Sequence, residues 1–209
     1  MNFRIETIAY PSDFANTYFL IDDLRVIIVD PGSDGSSLAA LISNRGWKPL
    51  AMLLTHGHFD HINGAEFLQK AYRIPVYVHQ ADVIMLDNAR LNGAEMFQFA
   101  GDYAIEPTSF YSDETIQIAD IAIATIHTPF HTPGSVCYYL KEQKVLFTGD
   151  TLFKGSIGRS DLPLGSFRTI NSSLAKLQTL PGDITIYPGH GPKSTIGKEL
   201  EFNRYFKLR

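Results

Sequence analysis

The chain has 209 residues, enough for one α/β domain that buries about 70% of the surface its unfolded chain exposes. Lys+Arg total 18 against 22 Asp+Glu, and the resulting net charge of -4 argues against a nucleic-acid or anionic-membrane partner held by bulk positive charge. A single cysteine excludes an intramolecular disulfide framework and a cysteine-rich zinc site.

The opening MNFRIETIAY has neither a long apolar run nor a small-residue cleavage site, so no signal peptide is expected. No stretch approaches the roughly 18 consecutive apolar residues of a membrane span. These readings lead to the expectation of a cytoplasmic protein. Short apolar strands are predicted at Phe3–Ala9, Asn16–Ile21 and Arg25–Val29, the last ended by the turn Asp30-Pro31-Gly32. A helix follows over Ser36–Asn44, stopped at Gly46, then a buried strand at Leu50–Leu54. Helical spacing returns at Gly64–Ala71 and Ala81–Asn88, with a strand at Val76–Val78 between them. Ala89–Ser112 is irregular and rich in aromatic residues. Strands are predicted at Thr115–Ile118, Ile121–Ile126, Ser135–Leu140, Val145–Phe147 and Ile184–Tyr187, and helices at Phe167–Thr179 and Lys198–Phe206. This order is that of two sheets packed face to face with helices outside, a pattern that propensity alone does not separate from other α/β folds.

The chemistry-bearing residues gather in turns at strand ends. The densest is Thr55-His56-Gly57-His58-Phe59-Asp60-His61, directly after the apolar strand ending at Leu54. In an extended segment His56 and His58 point to the same side. Asp60 and His61 follow where a helix begins, so two imidazoles with a neighbouring carboxylate and imidazole suit adjacent borderline metal ions. A polar surface turn is the bland alternative for one histidine, but burying this group without a cation is costly. Three further turns add donors: His127-Thr128-Pro129-Phe130-His131-Thr132-Pro133-Gly134-Ser135, Phe147-Thr148-Gly149-Asp150-Thr151 and Tyr187-Pro188-Gly189-His190-Gly191. Together they offer nitrogen and oxygen ligands and no thiolate. Cys137 reads as a buried core thiol. Asp30 reads either as a partner for a ligand histidine or its loop, or as a plain turn residue. His79 reads as structural or exposed, and His127 fits no ligand position.

Thr-His-Gly-His-Phe-Asp-His resembles the HxHxDH signature of the metallo-β-lactamase superfamily, and the later turns resemble its remaining ligand motifs in the same order, from Val29-Asp30-Pro31-Gly32 to Pro188-Gly189-His190-Gly191-Pro192. The resemblance implies an αββα sandwich with a dinuclear metal site on one edge between two mixed sheets. It implies that His56, His58 and His131 bind a first metal, that Asp60, His61 and His190 bind a second, and that Asp150 bridges them. It implies two divalent metal ions, zinc first among the candidates, with iron and manganese suited to the same donors. An aspartate at the bridging position is similar to the glyoxalase II-like hydrolases rather than to secreted β-lactamases with their cysteine.

This likeness implies hydrolysis of a small-molecule thioester such as S-lactoylglutathione, with Asp60 orienting the nucleophile or taking its proton. Arg159 matches a lysine that hydroxyacylglutathione hydrolases use to hold the glutathione carboxylate, although a structural partnership with Asp161 explains it equally. Asp161 and Pro192 replace glutathione-contacting tyrosines, and the chain stops at Arg209 where those enzymes continue into a helical domain. The expectation is therefore one short domain over residues 1–209. The aromatic stretch Met96–Tyr111 either roofs the cleft over an apolar substrate group or packs as ordinary sheet cover. Two alternatives share the scaffold: a mononuclear iron persulfide dioxygenase, for which His56, His131 and Asp150 suffice, and a non-catalytic metal-dependent sensor or interaction protein. No oligomeric state is read from the sequence.

Overall fold

A computed structural model describes residues 3–9, 14–111 and 113–207. Among these residues twelve strands form two six-stranded sheets. The first contains β1 (Arg4–Ile8), β2 (Thr17–Asp22), β3 (Arg25–Val29), β4 (Lys48–Leu53), β5 (Val76–His79) and β6 (Pro107–Phe110), side by side in chain order. The second contains β7 (Thr115–Ile118), β8 (Ile121–His127), β9 (Val136–Leu140), β10 (Val145–Gly149), β11 (Thr185–Pro188) and β12 (Ser194–Thr195), again in sequence order across the sheet. Both sheets are mixed. β1–β3 are antiparallel and β3–β6 parallel, whereas the second sheet is antiparallel except for the parallel pair β10–β11.

Side-chain alternation along the strands builds three apolar layers. In β3, Val26 and Ile28 pack outward with Leu38 and Ile42 of α1 (Gly35–Asn44), while Ile27 and Val29 face the second sheet. In β9, Val136, Tyr138 and Leu140 face inward, while Cys137 and Tyr139 join Leu174 and Leu177 of α4 (Ile170–Gln178). Each fully buried side chain of this kind contributes about 1.5–3 kcal/mol, so this two-sided pattern makes the αββα sandwich the arrangement that leaves fewest apolar faces in water. Cys137 is a buried core thiol, as expected, and burial pushes its ionisation up to about 12.

The remaining helices are short. Asp34 caps α1 by accepting from Ser37 N at 2.8 Å. One turn, α2 (Phe59–Ile62), precedes α3 (Ala65–Tyr72). α5 (Ile196–Phe202) is capped by Thr195, which accepts from Lys198 N at 3.3 Å, so the terminal helix begins two residues before the predicted Lys198. No helix among the described residues is long and apolar enough to cross a membrane.

The structure also differs from these expectations in one helix and in two strands that the sequence did not predict. The predicted helix Ala81–Asn88 is a 3-10 turn over Gln80–Met85, because Asp82 is drawn into the interior by the loops around it. The irregular stretch Ala89–Ser112 contains β6, an edge strand opening on Pro107. Its Pro-Thr-Ser-Phe sequence has no apolar alternation, and a proline is tolerated because an edge strand need not donate on both sides; Ser112 itself lies outside the described residues. β12 has only two residues, too few to leave a periodic signal.

Candidate metal centre

The parallel strands β3, β4 and β5 end on the same edge of the first sheet, and their C-terminal turns carry Asp30, the segment 55–61 and Asp82. From the second sheet come the β8–β9 loop with His131, the end of β10 with Asp150, and the end of β11 with His190. Two backbone-level links close this edge: Val136 N donates to Thr55 O at 2.9 Å, and the Tyr138 hydroxyl donates to Leu54 O at 2.8 Å. The His190 turn is held from the first sheet. Asn16 donates through its side chain to Pro188 O and Gly191 O, and Tyr18 donates to Pro188 O.

The expected donors converge. One ligand atom from each of His56, His58 and His131 lies within 4.8 Å of the others, and the same is true of His56, His61 and Asp150, and of Asp60, His61 and His190. His58 Nδ1 is 2.8 Å from His131 Nε2. Asp150 stands among the rings, with Oδ1 3.2 Å from His61 Nε2 and Oδ2 3.4 Å from His131 Nε2. Close approach at Gly189 requires a residue without a side chain, since a Cβ there lies 2.2 Å from Asp150 Oδ1.

The outer contacts decide which nitrogen of each ring is free. His61 Nδ1 donates to Asp30 Oδ2 at 2.9 Å, and His131 Nδ1 donates to the Arg159 carbonyl at 2.6 Å. Thr55 donates its hydroxyl proton to Asp30 Oδ2 at 2.7 Å and therefore accepts from His56 Nδ1 at 3.1 Å. In each ring the Nδ1 proton is committed, so Nε2 is the nitrogen left to meet a cation. Asp30 is thus a partner of the ligand loop, buried, with its backbone in the left-handed region at φ 49°.

His56 Nε2, His58 Nε2, His61 Nε2 and Asp150 Oδ1 are buried without a hydrogen-bonding partner among the described residues. Four such atoms on one cluster are hard to reconcile with a protein-only interior, where buried polar groups are almost always satisfied. A divalent cation satisfies lone pairs on nitrogen and oxygen at once, so the donor set fits metal ions. The electrostatics agree. Burial, with the neighbouring rings, holds His56 well below the ordinary imidazole range and His58 at about 3, so both are neutral. At His61 burial pulls the same way, but Asp30, Asp60 and Asp150 outweigh it and raise the ring well above its usual value, so without a cation a proton takes the Nε2 site, from which a metal ion would displace it. Asp60 and Asp150 are held below the usual carboxylate range by surrounding imidazoles, led by His61, against the opposing effect of burial.

The Metallo-beta-lactamase superfamily model matches residues 11–190. The chain belongs to that superfamily. A probable metallo-hydrolase of Bacillus subtilis, YqgX, is 40% identical over 198 residues, covering 91% of this chain and 92% of that protein. The hydroxyacylglutathione hydrolase GloC of Haemophilus influenzae is 33% identical over 191 residues, covering 90% of each. The crystal structure of BLEG-1, a B3 metallo-beta-lactamase, has a TM-score of 0.91 and 35% identity, covering 97% of this chain and 99% of that one.

In this superfamily member His58, Asp60, His131, Asp150 and His190 of the cluster line a cavity of about 410 Å³, together with Phe59, Phe97, Phe153, Arg159 and Leu162. Arg159 reaches the rim, where Nε and Nη2 grip Asp161 at 2.6 and 2.8 Å. His79 and His127 stay apart from the cluster, stacked on each other at 4.1 Å and 14°.

Sequence reasoning missed Asp82. It is buried, and its carboxylate accepts from Gly57 N at 3.0 Å, Thr132 Oγ1 at 2.6 Å and Gly134 N at 2.6 Å. It thereby ties the turn carrying His56 and His58 to the loop carrying His131. The one local signal was an acidic residue on an apolar stretch one turn after a parallel strand.

Proposed function

We propose that the protein is a metal-dependent hydrolase that cleaves a small-molecule thioester. The observation that carries this reading is the convergence of His56, His58, His61 and Asp150, each with a buried polar atom left without a partner, beside an open cavity that His58 and Asp150 line. The likeness to GloC supports a thioester rather than another acyl bond. In this reading His56, His58 and His131 hold one divalent ion, Asp60, His61 and His190 hold a second, and Asp150 serves both. Zinc, iron and manganese all suit these donors. Bound there, such ions lower the pKa of water towards about 7 and polarise an acyl carbonyl.

The chain's own groups do the positioning. Asp30, Thr55 and the Arg159 carbonyl hold three of the imidazoles through Nδ1, which orients those rings for metal binding through Nε2. Asp60, with Oδ2 3.1 Å from His190 Nε2, faces the cavity as a carboxylate able to orient a water and take its proton. Water oxygen bonds to the acyl carbon, the carbon–sulfur bond breaks, and the thiolate departs as a stable anion that takes up the proton in solution. Arg159 is the group at the rim that can meet a substrate carboxylate, on condition that it releases Asp161.

The test is turnover by protein loaded with zinc, iron or manganese. Substrates are S-lactoylglutathione, neutral acyl thioesters and a chromogenic β-lactam, with oxygen uptake followed on glutathione persulfide. Thioester hydrolysis is expected, removed by chelation and restored by metal, and faster than β-lactam hydrolysis. Oxygen consumption on the persulfide without hydrolysis overturns the reading in favour of the iron dioxygenase. Binding of metal with no turnover of any substrate overturns it in favour of a sensor.

A further inference from the structure

Resting on the thioester reading, we propose that the substrate group beyond the reacting carbonyl is uncharged and apolar, and that it lies on an aromatic shelf formed by Phe97 over Phe59. One side of the cavity is the donor cluster; the other is Phe59, Phe97, Phe153 and Leu162. The Phe97 ring lies 5.4 Å from Phe59, which stacks at 5.1 Å on Phe99, itself backed edge-on by Phe14 at 5.4 Å. Phe59 is buried beneath these rings, whereas Phe97 keeps 50% of its surface exposed at the cavity. Large apolar side chains grouped beside a reactive site lose nothing when an apolar ligand covers them and leave water-ordering surface when none does.

The shelf is a built feature. It rides on the 3-10 turn Ala94–Phe97, set between two left-handed residues, Gly93 at φ 83° and Gln98 at φ 60°. Asn92 is wholly buried and pins this turn, donating to Met85 O and Gly101 O and accepting from Ala94 N. Phe59 N donates to Asn92 O at 3.0 Å, so the turn is fastened to the residue that sits between His58 and Asp60. The shelf and the reacting centre are therefore held in one fixed relation.

Charge points the same way. Arg159 is the one cation among the described residues lining the cavity, and Asp161 neutralises it through two contacts. The other charged liners, Asp60 and Asp150, are acidic. Away from the metal ions of that reading, a substrate arm bearing carboxylates meets only an arginine already engaged by Asp161, whereas an alkyl or aryl chain meets three phenyl rings and a leucine.

The experiment compares acetyl and hexanoyl thioesters of N-acetylcysteamine, with S-lactoylglutathione, on metal-loaded protein. The hexanoyl ester is expected to exceed the acetyl ester in kcat/KM by about tenfold, because four added methylenes are partly covered by the rings. Phe97→Ser should reduce that ratio about tenfold, chiefly through KM, while Phe97→Leu should retain most of it. Calorimetric binding of the ketone in which CH2 replaces the hexanoyl thioester sulfur should weaken about tenfold in Phe97→Ser. Equal turnover of the two esters, or a ratio unchanged in Phe97→Ser, or S-lactoylglutathione outrunning the hexanoyl ester, overturns the shelf and leaves the hydrolase reading standing. Ketone binding that depends on Phe97 with no thioester turnover does the reverse: it supports the shelf and removes the hydrolase reading.

Discussion

Replacing Asp150 with alanine is expected to lower metal content from two ions per chain to at most one and to reduce kcat/KM by about 10³-fold or more, comparable with the loss of a principal electrostatic group. Asp150 is the carboxylate placed among members of both donor groups. It is 3.4 Å from His131 Nε2 of the first group, and 3.2 and 3.8 Å from His61 Nε2 and His190 Nε2 of the second. Without it, the group of His56, His58 and His131 is left with imidazoles alone, and no carboxylate is shared between the two groups. The fold should survive, since Asp150 lies at the end of β10 and outside the apolar layers. Elemental analysis beside steady-state kinetics checks both halves, and a folded Asp150→Ala protein with two ions and near-normal turnover contradicts the assignment.

Asp82→Ala should act at a distance. It removes the acceptor for two buried backbone N–H groups, Gly57 and Gly134, and for the Thr132 hydroxyl, which retains Ser135 Oγ at 2.8 Å. Unsatisfied buried donors cost about 1–3 kcal/mol each, so a loss of about 2–4 kcal/mol is expected near pH 5 in metal-free protein. The sign with pH follows from the carboxyl itself. Burial raises it from 3.8 to about 6, against the three donors that pull it down. The folded state therefore binds this proton more tightly than the unfolded chain does, and the native protein loses stability as pH rises from about 4 through 6. Alanine carries no such penalty, so the difference between native protein and variant should shrink between pH 5 and pH 8. Urea unfolding at the two pH values reads this. Metal affinity, measured by chelator competition, should fall about 10–100-fold, because the turn bearing His56 and His58 is no longer fastened to the loop bearing His131.

Much of the sandwich is legible in the sequence because its strands are buried on two faces. Val26-Ile27-Ile28-Val29 announces β3 with its observed bounds, and the run to Leu54 announces β4. The same signal is absent from β6 and β12, where a proline edge and a two-residue length leave no period to read. The donors are legible because histidines at strand ends are chemically conspicuous, and the structure brings all seven expected ligands together. What orders them is not. Asp82 acquires its role from groups 25, 50 and 52 positions away, and His-Gln-Ala-Asp by itself reads as the start of a helix. The Arg159 backbone carbonyl that orients His131 carries no residue-specific signature at all. Asp30 allowed two readings until its contacts with His61 and Thr55 distinguished them.

Metal stoichiometry with the coordination sphere resolved is the most direct test of the whole account. Protein saturated with zinc, iron or manganese and freed of loose ions should hold two per chain, with an X-ray absorption spectrum of nitrogen and oxygen neighbours and no sulfur. His190→Ala should lower the count to one while leaving the ion among His56, His58 and His131. A single ion in the native protein, a sulfur ligand, or no retained metal at all contradicts it.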